Sequence, residues 1–475
     1  MKNAYLAVDF GAGSGRVMAA SIHRDTLTLE EIHRFPNHQV RMGNHIYWDF
    51  PALFREMKQG LRMAVHKGYR IRSIGIDTWG VDFGLVDRKG HLLGNPVCYR
   101  DPRTEGLPEE FFARQASEDA QPETELARHY AEAGIQVMPI NTLFQLYSMK
   151  KEEDAQLAVA HRLLFMPDLF SFFLTGEACN EYTIASTSEL LDARQRDWNR
   201  ALIGKLGLPE GLFGNIVMPG TVRGTVRQDV AEEIGLTYPV EVIAVGSHDT
   251  ASAIFAIPPS PQVERERCAF LSSGTWSLLG VELDEPILSE AARQAGFTNE
   301  GSVGGKIRFL QNITGLWILQ RLMAQWKERG EDYSYEILLA AAENAGTAPT
   351  IDVDSHLFQN PADMEVAIAG YCRATGQAVP ESPGQYARCV LQSLAQRYKR
   401  GIDRLNALLP APVKQLNIIG GGCRNTLLNR LTEEATGIPV TAGPAEATAI
   451  GNVLVQAMAK GDIKSRNDIR KYVHT

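Results

Sequence analysis

The chain has 475 residues, too many for one ordinary hydrophobic core, and its length favours two or three domains. Its 48 Lys and Arg stand against 56 Asp and Glu, a formal net charge of -8, and no basic run suits a nucleic-acid backbone or an acidic membrane. The apolar runs are too short to cross a bilayer and the six cysteines form no C-x-x-C pair, so a cytoplasmic protein with reduced thiols and small-molecule partners is expected.

The first apolar run, from Ala4, ends on V-D-F-G-A-G-S-G-R, Val8 to Arg16, an acid followed by a glycine-rich turn. Such a turn presents backbone N–H groups to an anion. An acid beside it fits only with a cation between them, which suggests a magnesium-bound phosphate, although many such turns bind nothing. The run V-M-A-A-S-I-H, a polar turn at Arg24-Asp25 and the alternation T-L-T-L-E-E-I predict a β-hairpin with Thr26, Thr28 and Glu30 on one face. Glu30 and Glu31 lie where a dinucleotide-binding fold keeps its ribose acid. That fold is disfavoured, because Arg16 replaces the last glycine of its motif and a hairpin stands where its helix begins.

After Tyr47-Trp48-Asp49, Leu53, Met57, Leu61 and Val65 recur at helical spacing within Pro51 to Lys67. A strand from Ile71 to Ile76 then runs into Asp77-Thr78-Trp79-Gly80, and strand ends are where α/β proteins collect ligands. Trp79 is suited either to stacking on a sugar or to plain packing, and Gly80 to close approach of a substrate. A second strand and a turn at Asp87 to Gly90 follow. Tyr99-Arg100-Asp101-Pro102-Arg103 is either a hydroxyl-binding cluster or a surface ion-pair network. Residues 109–156 read as helical and polar, broken at Met138 to Thr142, and Met166-Pro167-Asp168 opens an apolar helix stopped by Gly176.

A buried strand, Val242 to Val245, enters Gly246-Ser247-His248-Asp249-Thr250 and a helix of small residues, Ala251 to Ala256. Asp249 serves there as a helix cap or as an acid facing a cleft. Pro258-Pro259-Ser260-Pro261 is the best linker and sets the expected domains at 1–257 and 258–475. Phe270 to Leu278, F-L-S-S-G-T-W-S-L, partly echoes the first glycine turn, and two such turns suit one nucleotide held between two halves. Phe309 to Gly315 leads into a helix at Leu316 to Gln320, with Asn312 expected near its start. Leu416 to Ile419 is a strand, Gly420 to Asn425 a turn, and Thr426 to Thr436 a helix ended by Gly437. A last helix begins near Glu446 and carries Gly451. Glycines here fit a flat ring lying on the backbone or a tight helix crossing.

In this order V-D-F-G-A-G-S-G-R, I-G-I-D-T-W-G-V-D-F, Y-R-D-P-R, S-H-D-T-A-S-A, L-S-S-G-T-W-S-L, N-I-T-G-L-W-I-L-Q and I-I-G-G-G-C-R-N closely resemble the FGGY carbohydrate kinases, from Ala4 to about Val455. The resemblance implies an α/β fold of two ribonuclease-H-like, actin-like ATPase domains. Each is expected to be a mixed five-stranded sheet with flanking helices, and the active site to lie in the interdomain cleft. ATP and Mg2+ are the implied cofactors. L-rhamnulose is the expected sugar, with L-fuculose and L-ribulose as rivals, in a monomer or small homo-oligomer that binds neither nucleic acid nor membrane. By motif, Asp249 resembles the general base, and Gly80, His248, Thr250 and Asn312 resemble substrate contacts. Ala12, Gly13, Ser14, Gly15, Arg16 and Thr275 resemble phosphate-loop residues, and Gln320 and Gly421 resemble nucleotide contacts. Asp9 is expected to hold magnesium through water. The first loop departs from serine-richer relatives at Ala12 and Gly13.

Overall fold

The computed structural model describes residues 2–115 and 121–473, so residues 116–120 of the helical stretch at 109–156 lie outside the described residues. The chain divides into two compact units. The first takes the described residues of Met1–Pro259, Leu283–Phe309 and Ala447–His474; the second takes Ser260–Glu282 and Leu310–Glu446.

The first unit is built on a mixed sheet in the order Val222–Thr225, Glu241–Ile243, Tyr69–Thr78, Lys2–Phe10, Ser14–His23, Thr26–Pro36. It has six strands where five were expected, because the short Val222–Thr225 joins its edge in antiparallel pairing with a register shift. The hairpin after the glycine turn forms as expected, Ser14–His23 against Thr26–Pro36. Lys2–Phe10 is parallel to Tyr69–Thr78, and their register makes Asp9 and Asp77 direct partners.

Strand periodicity decides what each face carries. Ala4, Leu6, Val8 and Phe10 enter one core with Leu53, Met57 and Leu61 of helix Phe50–His66. That helix starts where the Asp49 carboxylate accepts the Ala52 N–H, with Pro51 in its first turn. Tyr5 and Ala7 enter a second core with Ala449, Val453 and Ala457 of helix Ala447–Ala459. Tyr69–Thr78 repeats the pattern: Ile74 and Ile76 face the first core, while Ser73 and Asp77 meet Gln456 and Asn452 of the last helix. A third core gathers Phe111, Phe144, Leu146 and Trp198, so the stretch expected to be polar carries core residues, and its helix Thr142–Lys151 is buried over most of its length.

A second sheet also has six strands where five were expected, in the order Thr298–Gly301, Ile307–Thr314, Trp276–Leu283, Cys268–Ser273, Gln415–Ile419, Val440–Ala442. Asn312 lies inside Ile307–Thr314 rather than at a helix start, because this strand, buried without a break from Ile307 to Gln311, continues to Thr314 and the helix begins only at Trp317. The helix Pro383–Leu408, 26 residues capped by Ser382, was not anticipated; it buries Leu391, Leu394, Tyr398 and Leu405.

The glycine of the last helix marks a helix crossing. A Cβ on Gly451 would lie 1.7 Å from the backbone oxygen of Ser252 in helix Asp249–Phe255. Nothing lies within 4 Å of a Cβ on Gly204, in the surface helix Arg200–Lys205. Gly451→Ala should therefore destabilise the protein by at least ~1–3 kcal/mol through overpacking. Gly204→Ala should stabilise it by ~0.5–1 kcal/mol, because alanine loses less backbone entropy in a helix. Chemical denaturation of the two variants beside the parent checks both signs.

Candidate active site

Three carboxylates belong to neighbouring strand ends of the first unit. Asp9 and Asp77 are register partners near the ends of parallel strands, and Thr78 pairs in turn with His248, the residue before Asp249. The Thr78 N–H donates to the Ser247 carbonyl at 2.9 Å, which carries the sheet pairing past the end of Glu241–Ile243 to the helix start. Asp9 receives Arg16 Nη2 at 2.6 Å. Asp77 is fully buried and accepts from Asn452 Nδ2 at 2.5 Å. Burial, then the charge of Asp9, pushes its carboxyl well above the usual range, against the pull of Asn452. Burial likewise raises Asp249, with His248 pulling it down and Asp9 adding to the rise.

Asp249 is the first residue of its helix, and the N-cap position belongs to His248, which makes no side-chain cap. The Asp249 carboxylate accepts only local hydrogen bonds, from Thr250 N at 2.6 Å and Thr250 Oγ1 at 3.1 Å. Its side chain stays 31% exposed, so it can meet a ligand. Thr250 is buried beside it.

The turn that carries it is held from below by buried groups. Arg223 Nη1 donates to Asp168 Oδ1 at 2.6 Å, and the same oxygen accepts the Glu181 N–H at 3.1 Å. Glu181 accepts the Ser247 N–H at 3.2 Å, and Thr183 Oγ1 accepts the His248 N–H at 3.2 Å. None of Asp168, Glu181 and Arg223 stands out from spacing alone. Asp77 carried a signal in Ser73, Gly75 and Asp77, which alternate with Ile74 and Ile76.

Gly80 is partly exposed and followed by Val81, which holds φ +68. A β-branched residue adopts that region only when its surroundings impose it. Here Val81 N–H donates to Thr187 Oγ1 at 3.0 Å and its carbonyl accepts Thr142 Oγ1 at 2.6 Å. Trp79 packs rather than stacks on a ligand: it is buried, its ring centroid is 4.2 Å from that of Trp48, and both indoles donate to Asp82. Burial pushes Asp82 up to about 6 against those bonds. The Tyr99 to Arg103 group is dispersed. Asp101 accepts the Ile46 and Arg103 N–H groups, Arg103 donates to Gln145, and Arg100 lies over the Tyr99 ring.

The first glycine turn closes with Gly11 N–H donating to Ser14 O at 2.8 Å, while Asn37 ties down Gly11 and Gly13. Ala12 and Ser14 are partly exposed and Gly13 is open, with nothing within 4 Å of a Cβ. Gly15 faces inward, where a Cβ would strike the Phe35 ring. In the second unit, exposed Thr275 donates from Oγ1 to Gln320 Oε1 at 3.0 Å. Gly420, at φ +80, and Gly422 lie against Ser273, two residues before Thr275, and leave Gly421 exposed between them. Thr275, Gln320 and Gly421 are thus brought to one place.

Among the described residues no group of three or more His, Cys, Asp and Glu side chains forms a metal cage. Magnesium needs none: it retains waters and takes one or two carboxylates with the phosphates of its ligand. Asp9 and Asp77 supply hard oxygen donors side by side, and Asp77 Oδ1 is buried without a hydrogen-bond partner, so these residues fit the ion.

The FGGY family of carbohydrate kinases matches the chain as its N-terminal domain at residues 4–256 and as its C-terminal domain at residues 269–460. The chain belongs to this family and is a sugar kinase. Within it, the chain is 46% identical over 474 residues to the rhamnulokinase of Bacteroides thetaiotaomicron, covering 100% of this chain and 94% of the relative. It is 39% identical over 473 residues to that of Oceanobacillus iheyensis, covering 100% and 97%. Two solved structures share the two-domain fold: gluconate kinase from Lactobacillus acidophilus (TM-score 0.80, 13% identity, 100% of this chain and 92% of that one) and Plasmodium falciparum glycerol kinase with ADP (0.77, 15%, 100% and 93%). Among the described residues no helix is long and apolar enough to cross a membrane.

Glu181 gives the support of the turn at Ser247 to Asp249 a pH dependence. Burial pushes its carboxyl up from 4.5 to about 7, against the hydrogen bonds of Thr183 and Ile184. A raised value in the folded state means that this contribution to stability is fully present below about pH 4.5 and lost as pH rises through about 7. The loss is on the order of 3 kcal/mol at 1.36 kcal/mol per unit. Glu181→Gln should flatten this part of the profile, so that the difference in unfolding free energy between about pH 5 and pH 7.5 shrinks relative to the parent, whatever the absolute stability.

Proposed function

We propose that this kinase transfers the γ-phosphoryl group of ATP to the 1-hydroxyl of L-rhamnulose in the cytoplasm, giving L-rhamnulose 1-phosphate and ADP in the breakdown of L-rhamnose. Full-length similarity to rhamnulokinases supports the choice of sugar. The observation that carries the chemistry is Asp249: partly exposed, close enough to Asp9 to feel its charge, and not serving as its helix's N-cap. Phosphoryl transfer asks the protein mainly to position reactants, balance charge and accept the hydroxyl proton.

Asp249 takes that proton, and its upward shift brings a carboxylate base closer to the working pH. Residues 1–257 carry the sugar-binding side, with Gly80, His248 and Thr250 beside the base and Asn312 joining from the later chain. Residues 258–475 carry the nucleotide, through Thr275, Gln320 and Gly421, whose convergence supports this division. The open turn at Ala12 and Gly13 presents N–H groups to phosphate, Ser14 and Arg16 add a hydroxyl and a guanidinium, and Gly15, packed on Phe35, shapes the turn. Asp9, through water, and Asp77 would hold Mg2+, which when bound neutralises phosphate charge.

Two measurements test this reading. In an ADP-release assay across ketoses, L-rhamnulose should give the highest kcat/KM; a higher value for L-fuculose or L-ribulose reassigns the sugar. Asp249→Asn should melt within a few degrees of the parent and still bind both substrates, yet turn over at least ~100-fold more slowly, the usual size of a lost general base. Turnover within about threefold of the parent at saturating substrates would remove Asp249 from the chemistry.

A further inference from the structure

His248 is the one ionisable side chain in the S-H-D-T turn besides the base, and its imidazole is gripped from behind by a buried ion pair. Nδ1 lies 3.0 Å from Arg308 Nη2, in a hydrogen bond. It lies 3.3 Å from Glu300 Oε2. On the other side of the ring, Nε2 is 3.5 Å from Asp249 Oδ1. Arg308 is fully buried, and its orientation is set twice: Nε donates to the Gly301 carbonyl at 2.8 Å, and Nη2 is 3.1 Å from Glu300 Oε2. Gly301 is itself fixed, its N–H donating to Ser186 Oγ at 2.7 Å. Burial alone would raise the Glu300 carboxyl, but with the Arg308 charge as the foremost opposing cause it lies below its ordinary value, so the partner of Arg308 is a carboxylate.

A guanidinium has only donors. A ring nitrogen that receives one must offer its lone pair, and in a neutral imidazole the single proton then sits on the other nitrogen. We propose that Arg308, held by Glu300, is a positioning residue that fixes His248 as the Nε2–H tautomer, so that the ring's one donor points to Asp249 and to a sugar oxygen bound beside it. The arrangement has two uses in the phosphorylation proposed above, on which this part of the inference rests. A donor on the sugar side orients a hydroxyl or carbonyl oxygen of the ketose against the base. A lone pair kept on Nδ1, away from the sugar, prevents His248 from competing with Asp249 for the hydroxyl proton. Without Arg308 the nearest group to Nδ1 is the Glu300 carboxylate, which can only accept, and the tautomer should reverse to Nδ1–H. The donor then leaves the sugar side.

The test begins with the ring itself and needs no substrate. In full-length protein with 15N-labelled histidine, long-range 1H–15N correlation spectra, with the His248 signals assigned through His248→Gln, should show a protonated Nε2 and a bare Nδ1. Arg308→Met should move the proton to Nδ1, and Arg308→Lys, which restores a donor, should move it back. In kinetics, Arg308→Met should lower kcat/KM for the sugar by roughly 10–100-fold, the scale known for losing a partner that orients a metal-bound histidine, with KM for ATP unchanged. Arg308→Lys should recover much of this. A parent ring with its proton on Nδ1 overturns the proposal, as does Arg308→Met that keeps Nε2–H or raises the KM values of sugar and ATP alike. If Arg308→Met fails to fold, Arg308→Lys decides: Nε2–H kept with a sugar kcat/KM close to the parent's supports the proposal, and a proton moved to Nδ1 overturns it. Should the parent phosphorylate no sugar at all, the proposed reaction fails while the ring spectra still decide the tautomer.

Discussion

Carboxylates set side by side at the ends of parallel strands are the constraint on which the first unit depends. Like charges in one place disfavour joint ionisation, and burial adds to the penalty. Asp77, fully buried beside Asp9, bears most of that penalty. Around it the fold supplies compensation: Arg16 on Asp9, and on Asp77 the amide of Asn452. Asn452 is itself aligned by Gln456, whose Nε2 donates to Asn452 Oδ1 at 2.6 Å and to the Leu6 carbonyl at 3.0 Å. Gln456 also accepts from Ser73 Oγ at 2.7 Å. A polar seam thus runs along the sheet face toward the site, with every member tied to a helix from the far end of the chain.

A second set of buried groups places Asp249. Arg223, Asp168 and Glu181 reach the backbone at Ser247, while Thr183 takes the N–H of His248. Removing one partner of a buried ion pair leaves the other uncompensated, which makes such a set unforgiving and its geometry well defined. Asp249 needs that support, because its own carboxylate meets only its chain neighbours, Thr250 and the His248 ring, among the described residues. The same logic holds Val81 in a left-handed conformation beside Gly80, with hydroxyls of Thr187 and Thr142 on either side of it.

Much of the scaffold was legible because period and punctuation agree along the chain. The hairpin after Arg16, the helix before Gly176, the strand to Ile419 and the helix before Gly437 all follow from alternation, caps and glycines. Asn312 was misplaced, since a short apolar run before a glycine reads equally as strand or helix start. The long helix at Pro383–Leu408 is marked in the sequence only by Ser382 and Pro383 at its start and by a periodic apolar stripe, with no residue pattern tied to chemistry. Of the site, the residues in glycine turns and at strand ends could be found. Glu300, Arg308, Asp168 and Glu181 could not, because their importance lies in contacts between segments tens of residues apart, and no local pattern announces a buried pair.

The last helix also bears on the order in which the chain becomes a protein. Ala447–Ala459 covers the sheet face that carries Tyr5, Ala7 and Met18, and Gly451 lets it settle against Asp249–Phe255. During synthesis the strands of the first unit leave the ribosome early, but the helix that seals them emerges after every residue of 260–282 and 310–446. The half that begins first is therefore the half completed last. In the interval one face of its sheet, with Tyr5, Ala7, Ser73 and Asp77, is exposed to solvent and to any folding helper that binds apolar strands.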